Sequence, residues 1–141
     1  MSEEQLSQIL TECRVIAVVG LSREPEKASF KVSSYMKEHG FRIIPINPFC
    51  DEVLGEKCYA SLLEIPVALQ KIIDVVDIFR PSNEVDSLVE QVIKLKEANS
   101  VPTVVWMQLG IKNEEAAEMG KLAGLTVVMN KCIMVEHFRL F

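Results

Sequence analysis

The sequence predicts an α/β fold, in which a parallel sheet of about five strands carries helices on both faces. Several apolar runs are continuous rather than alternating, which indicates strands that are buried on both sides. Segments with apolar residues at helical spacing separate these runs, as expected where crossover helices join parallel strands. Right-handed crossovers then give a doubly wound, Rossmann-like sheet, for which we expect the strand order 3-2-1-4-5. The length of 141 residues fits a single domain.

Capping and turn residues bound the elements. Ser2 and Gln5 suit a capping box for an N-terminal helix, and Asn113, followed by two acidic residues, suits the N-cap of a later one. Gly40 fits the left-handed position past a helix end, and Pro45 predicts an interruption or end of the second strand. The predicted strands cover residues 14–19, 41–46, 72–79, 101–107 and 126–129; the predicted helices cover 2–13, 28–39, 61–65, a stretch from 81 and 113–124, with one more turn in the tail.

The charge balance excludes some classes of partner. Fifteen basic and twenty acidic residues give a net charge of −5, whereas nonspecific nucleic-acid binding needs a basic footprint. The first residues are acidic and lack the basic start and apolar core of a secretion signal. No apolar run is long enough to span a bilayer. We therefore expect a cytoplasmic protein with neither a nucleic-acid nor a membrane partner.

The end of the first strand has the pattern of a phosphate-binding turn. The apolar run VIAVV stops at Gly20 and continues as the polar loop LSREPEK before a helix. A glycine lets the backbone approach a ligand closely, and the helix aims unpaired N–H groups and its positive dipole end at an anion. In a doubly wound sheet the ligand lies at the carboxyl ends of the strands, here at the expected switch between strands one and four. The pattern therefore predicts a nucleotide ligand.

The fingerprint of dinucleotide-binding proteins is incomplete. Its glycine positions are Gly20, Ser22 and Pro25, and no carboxylate stands at the end of strand two to hold a ribose hydroxyl. Both departures disfavour NAD, and no Gly-Lys-Ser or Gly-Lys-Thr follows for a Walker loop. An NAD(P)-binding oxidoreductase stays an alternative, in which Arg23 or Arg42 would accept a 2′-phosphate.

Each of the first four strands is followed by an unusual segment, namely GLSREPEKAS, INP, FRPS and MQLGI. With LGEKCYASLLEIP and VVMNKCI in the same order, they resemble the small stand-alone CoA-binding protein family. Its domain is similar to the N-terminal CoA-binding domain of the succinyl-CoA synthetase alpha subunit, and the resemblance runs from Cys13 to His137. It implies coenzyme A or acyl-CoA as the ligand. The implied role is a carrier, sensor or regulatory module, or alternatively a non-catalytic subunit of an acyl-CoA ligase or transferase.

The resemblance implies that the first loop binds the CoA phosphates. Gly20, Leu21 and Ser22 would offer backbone amides and a hydroxyl, and Pro25 would shape the loop. Lys27 and Ser29, at the start of the helix, are also implied to contact a phosphate, and Arg23 is a candidate for the 3′-phosphate. The alternative for Lys27 is a solvated surface lysine.

The loops after strands two and three would hold the adenosine and one wall of the site. Asn47 and Pro48 would face the adenosine, with a simple strand-ending turn as the alternative. Arg80 would pair with phosphate oxygens, for which an arginine fork is suited. Alternatively, Phe79 packs in the core and Arg80 pairs with a surface acid. The wall implied by the resemblance consists of Ile78, Phe79, Arg80 and Pro81.

The last two loops would meet the pantetheine arm. Gln108 and Gly110 would approach its amides or the phosphates, although Gly110 also suits a plain turn. Cys132 follows strand five, and Lys131 beside it would favour a thiolate that forms a mixed disulfide with CoA. The alternative for Cys132 is a small buried hydrophobic residue.

No catalytic set is predicted. Asp74 and Asp77 lie three residues apart in a strand and so on opposite faces. His39 and His137 lie at a helix end and in the tail, so we expect no ligase chemistry from this chain in isolation. The four cysteines form no CxxC pair and have no histidine at zinc spacing, so neither a metal site nor a disulfide framework is expected.

Overall fold

The computed structural model describes all residues, Met1–Phe141, and its main sheet has five parallel strands in the order β2-β1-β5-β6-β7. The strands are β1 (Val15–Val19), β2 (Arg42–Ile46), β3 (Glu52–Val53), β4 (Glu56–Lys57), β5 (Val75–Ile78), β6 (Val104–Met107) and β7 (Thr126–Val128). The helices are α1 (Glu3–Glu12), α2 (Ala28–Glu38), α3 (Val67–Gln70), α4 (Val85–Asn99), α5 (Glu114–Leu122) and α6 (Ile133–Leu140), with 3-10 turns at Leu62–Glu64 and Ser82–Glu84.

The fold class is confirmed, but the predicted strand order is wrong. The third strand of the main sheet, β5, pairs with β1 instead of leaving β2 between them, so the order is 2-1-3-4-5. The outer edge of β2 is occupied by Tyr59, whose N–H donates to Pro45 and whose carbonyl accepts from Asn47. The carboxyl end of this edge is therefore closed to a further strand. The topological switch lies between β1 and β5, and not between the first and fourth strands.

Helices cover both faces of the sheet, as predicted. On one face α4 and α5 pack over side chains that include Val76 and Val105. On the other face α1, α2 and α6 pack over Val18 and Trp106. Trp106 is fully buried, and its indole N–H donates to the Lys131 carbonyl at 2.7 Å. The two apolar layers bury both faces of the sheet, and because its strands are parallel all their carboxyl ends lie at one edge.

The predicted caps are confirmed. Ser2 and Gln5 form both hydrogen bonds of a capping box at α1, at 3.1 and 2.9 Å. The Asn113 side chain accepts from the Ala116 N–H at 2.9 Å and starts α5. Gly40 follows α2 with φ +93°, the left-handed conformation that glycine adopts without steric cost. Residues close in sequence therefore determine where these helices begin and end.

The loop predicted for residues 47–66 contains more structure than the sequence indicated. Its short helix is a 3-10 turn at Leu62–Glu64, but β3 and β4 form an additional antiparallel hairpin. The short helix α3, which follows the 3-10 turn, was not predicted. Strands β5 and β6 begin three residues later than expected. The carboxylate of Asp74, directly before β5, accepts from the N–H groups of Arg14 and Val15. None of the helices has the length and apolar character that a membrane crossing requires.

Candidate functional site

A cavity of about 740 Å³ opens at the carboxyl ends of β1, β2 and β5, beside the switch point. We call it the crevice. Its volume falls in the range of small-molecule sites, roughly 300–1,000 Å³. It is lined by Val19, Gly20, Ser22, Ile46, Asn47, Pro48, Phe49, Ala60, Ser61, Leu62, Arg80, Asn83, Glu84, Ser87, Leu88 and Gln91.

Gly20 is the point at which three loops meet below the crevice. Its backbone has φ +85°, and its N–H donates to the Ile46 carbonyl at 3.0 Å. A Cβ atom at this position would lie 2.9 Å from the Phe79 carbonyl oxygen and 2.9 Å from Cδ of Arg80. Both the backbone conformation and the lack of space therefore require glycine here. The sequence predicted that the backbone at Gly20 approaches a ligand closely. In the structure, Gly20 closely approaches the segment of Phe79 and Arg80 that follows β5.

The loop after Gly20 turns back on the start of α2. The N–H of Ser22 donates to Ser29 Oγ at 2.9 Å, and Ser22 Oγ accepts from the Glu24 N–H at 3.0 Å. Lys27 is the N-cap of α2 and makes no side-chain hydrogen bond to it, so the helix start is uncapped. Its first N–H groups are thus left to an external acceptor.

The first loop differs in detail from the sequence prediction. Two of the three amides expected to face phosphate, those of Gly20 and Ser22, already donate within the protein. Leu21 is fully buried and packs in the core. Of these residues Gly20 and Ser22 line the crevice, whereas Pro25 and Lys27 are exposed outside it.

Asn47 ties the loops after β1 and β2 together. Its side-chain N–H donates to the Leu21 carbonyl at 2.9 Å, and its side-chain oxygen accepts from the Phe49 N–H at 2.8 Å. The turn proposed as the alternative is therefore present, and Asn47 and Pro48 also line the crevice. Phe49, which was not predicted as a site residue, lies at the mouth of the crevice with 89% of its surface exposed. Its only sequence signal is an aromatic residue directly after INP.

Arg80 lines the crevice and is paired with an acid. Its guanidinium donates to the Glu84 carboxylate at 2.9 Å, in an i,i+4 pair with both side chains roughly half exposed. Phe79 is half-buried against the apolar layer of α1, α2 and α6, and Ile78 is fully buried. The structure thus shows the arrangement given as the alternative. Exposed pairs contribute only roughly 0.3–0.5 kcal/mol, so an anion can readily displace Glu84.

Gln108 does not line the crevice. It is buried and donates to the Asp77 carboxylate at 2.6 Å, next to the end of β5. Burial raises the pKa of Asp77 to about 7, against the opposing effect of the hydrogen bond from Gln108 and one from the Ile78 backbone. This hydrogen bond gives each of the two buried polar side chains a partner inside the sheet. This hydrogen bond is not predictable from the sequence, because its partners are 31 residues apart.

The segments after β6 and β7 meet each other. Gly110 has φ +86°, and its N–H donates to the Asn130 side chain at 2.7 Å, which is the turn given as the alternative. Pro81 is exposed at the start of a 3-10 turn. Cys132 is a half-buried free thiol at the N-cap of α6. Its reaction with CoA stays a prediction.

Comparisons with known proteins agree with this architecture. The chain is 41% identical over 136 residues to the uncharacterized protein YneT of Bacillus subtilis, which covers 96% of this chain and 94% of that protein. A solved structure of a hypothetical protein from Pyrococcus horikoshii superposes with a TM-score of 0.89 and 42% identity, covering 99% of this chain and 92% of the other. The likeness therefore extends to proteins of this same size.

A larger enzyme shares part of the sequence. The acetate–CoA ligase (ADP-forming) II of Archaeoglobus fulgidus is 43% identical over 53 residues, which is 36% of this chain and 8% of the ligase. The family model described as "CoA binding domain" matches residues 14–138, nearly the full length predicted from the motifs. The chain therefore belongs to the CoA binding domain family.

Proposed function

We propose that this protein binds coenzyme A or an acyl-CoA in the crevice and acts as a carrier, sensor or regulatory module in the cytoplasm. The observation that carries the proposal is Arg80 in a cavity of about 740 Å³, at the switch point of a chain from the CoA binding domain family. Ligands of doubly wound sheets bind at this edge. The chain's net charge of −5 makes local cations necessary for an anionic ligand.

The phosphates would lie between Arg80 and the start of α2. The guanidinium offers a fork of donors that matches the oxygens of a phosphate. A phosphate would therefore displace the exposed carboxylate of Glu84 from Arg80. The uncapped N–H groups of α2 supply further donors near the loop. Lys27 and Arg23 are exposed on this loop beside Glu24 and Glu26, so the loop is neutral overall and either cation would act through direct contact with a phosphate.

The adenosine would lie against the segment after β2. Asn47 fixes this segment through two hydrogen bonds, and Pro48 presents a flat apolar surface to the crevice. Phe49 has a ring that is almost fully exposed, which is costly in water unless a partner covers it. Stacking of a base on an aromatic ring contributes roughly 1–3 kcal/mol. The pantetheine arm would then extend toward Gly110 and Cys132.

The geometry argues against Arg42 as the residue that would accept the 2′-phosphate in an NAD(P)-binding oxidoreductase. Arg42 is the first residue of β2, so it lies at the amino edge of the sheet, opposite the crevice. It cannot reach a 2′-phosphate bound at the carboxyl edge, although Arg23 can. The similarity to part of an acetate–CoA ligase favours a second candidate, a CoA-binding subunit that works with a separate partner. A co-purifying protein with the missing ligase domains would support that role.

Calorimetric titration of the purified protein with CoA, acetyl-CoA and NADPH tests the proposal. We expect CoA to bind and NADPH to fail to displace it. Arg80→Ala is expected to weaken CoA binding, whereas the matched control Arg42→Ala, an exposed arginine at the other edge, leaves it unchanged. Preferential binding of NADPH, or equal effects of the two substitutions, would overturn the proposal.

A further inference from the structure

Two cysteines meet beside the crevice. Cys50 and Cys58 flank the hairpin of β3 and β4, and their sulfur atoms lie 3.7 Å apart as free thiols. A disulfide has a sulfur–sulfur length of about 2.05 Å, so the two atoms need to approach by roughly 1.7 Å. The seven residues between them already fold back through the hairpin. The pair is therefore arranged for oxidation with a small local movement.

The hairpin side of this pair is anchored. The Cys58 N–H donates to the Asp51 carbonyl at 2.8 Å, and the next residue, Tyr59, bridges to the edge of β2. Lys37 of α2 pairs with Glu56 at 3.0 Å and holds the hairpin tip. Movement of Cys58 would break several of these contacts.

The other side is held loosely. Cys50 makes no backbone hydrogen bond, and the N–H of Phe49 bonds only to the side chain of Asn47. Closure of the sulfur–sulfur distance would therefore be taken up by residues 48–50. Phe49 lies in this segment and lines the crevice, as does Pro48. A bond at Cys50 would consequently move the rim of the binding cavity.

The two thiols differ in access. Cys50 lines a depression of about 310 Å³ that adjoins the crevice and shares Ser22, Asn47 and Phe49 with it. Cys58 is only 8% exposed. Burial, with a contribution from neighbouring Cys50, raises the pKa of Cys58 to about 12. A dissolved oxidant would thus reach Cys50 first, because Cys58 is buried and its thiol stays protonated. The Cys58 sulfur lies 3.7 Å from the Cys50 sulfur, and this proximity makes Cys58 the resolving thiol.

We propose that Cys50 and Cys58 form a reversible disulfide that changes the shape of the crevice rim. With a hydroperoxide as oxidant, the Cys50 sulfur attacks the peroxide oxygen and becomes a sulfenic acid, and the alcohol or water leaves. The Cys58 sulfur then attacks the Cys50 sulfur and displaces hydroxide, which takes up the Cys58 proton and leaves as water. Two electrons pass from the thiols to the peroxide. Two molecules of a small thiol reverse the step and become a disulfide themselves.

The disulfide is tested by treating the intact protein with hydrogen peroxide and mapping its peptides by mass under non-reducing conditions. We expect a Cys50–Cys58 linkage that has lost two hydrogen atoms and that dithiothreitol removes. Cys13→Ser, which removes a buried thiol away from the hairpin, should leave the linkage intact, and Cys50→Ser should abolish it. Thermal melting confirms that each variant is folded. Over-oxidation of Cys50 without the linkage, or pairing with Cys132, would overturn the proposal.

The effect on the rim is tested independently of any ligand. In the Phe49→Trp variant we expect the added emission, above that of buried Trp106, to shift on oxidation and to stay constant when Cys58→Ser is also present. The consequence for affinity rests on the proposed function, and we expect oxidised protein to bind CoA several-fold more weakly. A linkage and emission shift without CoA binding in either state would refute the proposed function alone. A linkage that leaves the emission unchanged would refute the movement of the rim.

Discussion

Neutralising Glu84 is expected to tighten the binding of CoA, because Glu84 occupies Arg80 and adds a negative charge to the crevice. The pair is 2.9 Å long, with 46% and 44% of the two side chains exposed. An exposed i,i+4 pair contributes roughly 0.3–0.5 kcal/mol, and like-charge repulsion at this range is of similar size. Glu84→Gln removes both obstacles. The expected gain is about 1 kcal/mol, or roughly five-fold in Kd.

The assay is a calorimetric titration of CoA into the wild type and into Glu84→Gln at low salt, where surface electrostatics are least screened. Glu90→Gln serves as the control, because Glu90 is exposed on α4, the helix that begins directly after Glu84, and does not line the crevice. We expect the control to change the affinity far less than Glu84→Gln. Unchanged or weaker binding in Glu84→Gln would refute the placement of phosphate at Arg80.

Four further outcomes follow from the geometry. Arg80→Ala should weaken CoA binding by about 1–3 kcal/mol in the same titration, and Phe49→Ala by about 1–2 kcal/mol; no loss in either would place the ligand elsewhere. Gly20→Ala should lower the free energy of unfolding by about 2 kcal/mol or more in urea, because its Cβ meets the Phe79 backbone. Asp77 has a pKa raised to about 7, so the native state binds the extra proton. Stability should therefore fall as pH rises from about 4 to 7, and Asp77→Asn should flatten this slope; an equal slope would contradict the assignment.

Local chemistry made several features predictable from the sequence. A strand that stops at Gly20 before a helix start indicated the crevice, because the constraint lies within one short segment. Asn113 and Gly40 marked helix ends for the same reason. Arg80 was placed in the crevice by the segment FRPS, although its present partner is Glu84.

Features that depend on distant contacts were not predictable. The predicted strand order was wrong because β5 pairs with β1, and Tyr59, in a segment without strand periodicity, bridges the end of the β2 edge. Gln108 was expected at the ligand but satisfies Asp77 inside the sheet. The meeting of Cys50 and Cys58 depends on a hairpin of two-residue strands, which is too short to give an apolar pattern.

Nuclear magnetic resonance of the 15.9-kDa protein during a titration with CoA would locate the ligand residue by residue. We predict that the largest amide shifts fall on the crevice loops, at Gly20, Ser22, Asn47 and Arg80, and saturate with one equivalent of CoA. Amides at the opposite edge of the sheet, such as that of Arg42, should keep their positions. Shifts centred away from these loops, or none at all, would contradict the assignment of the crevice as the CoA site.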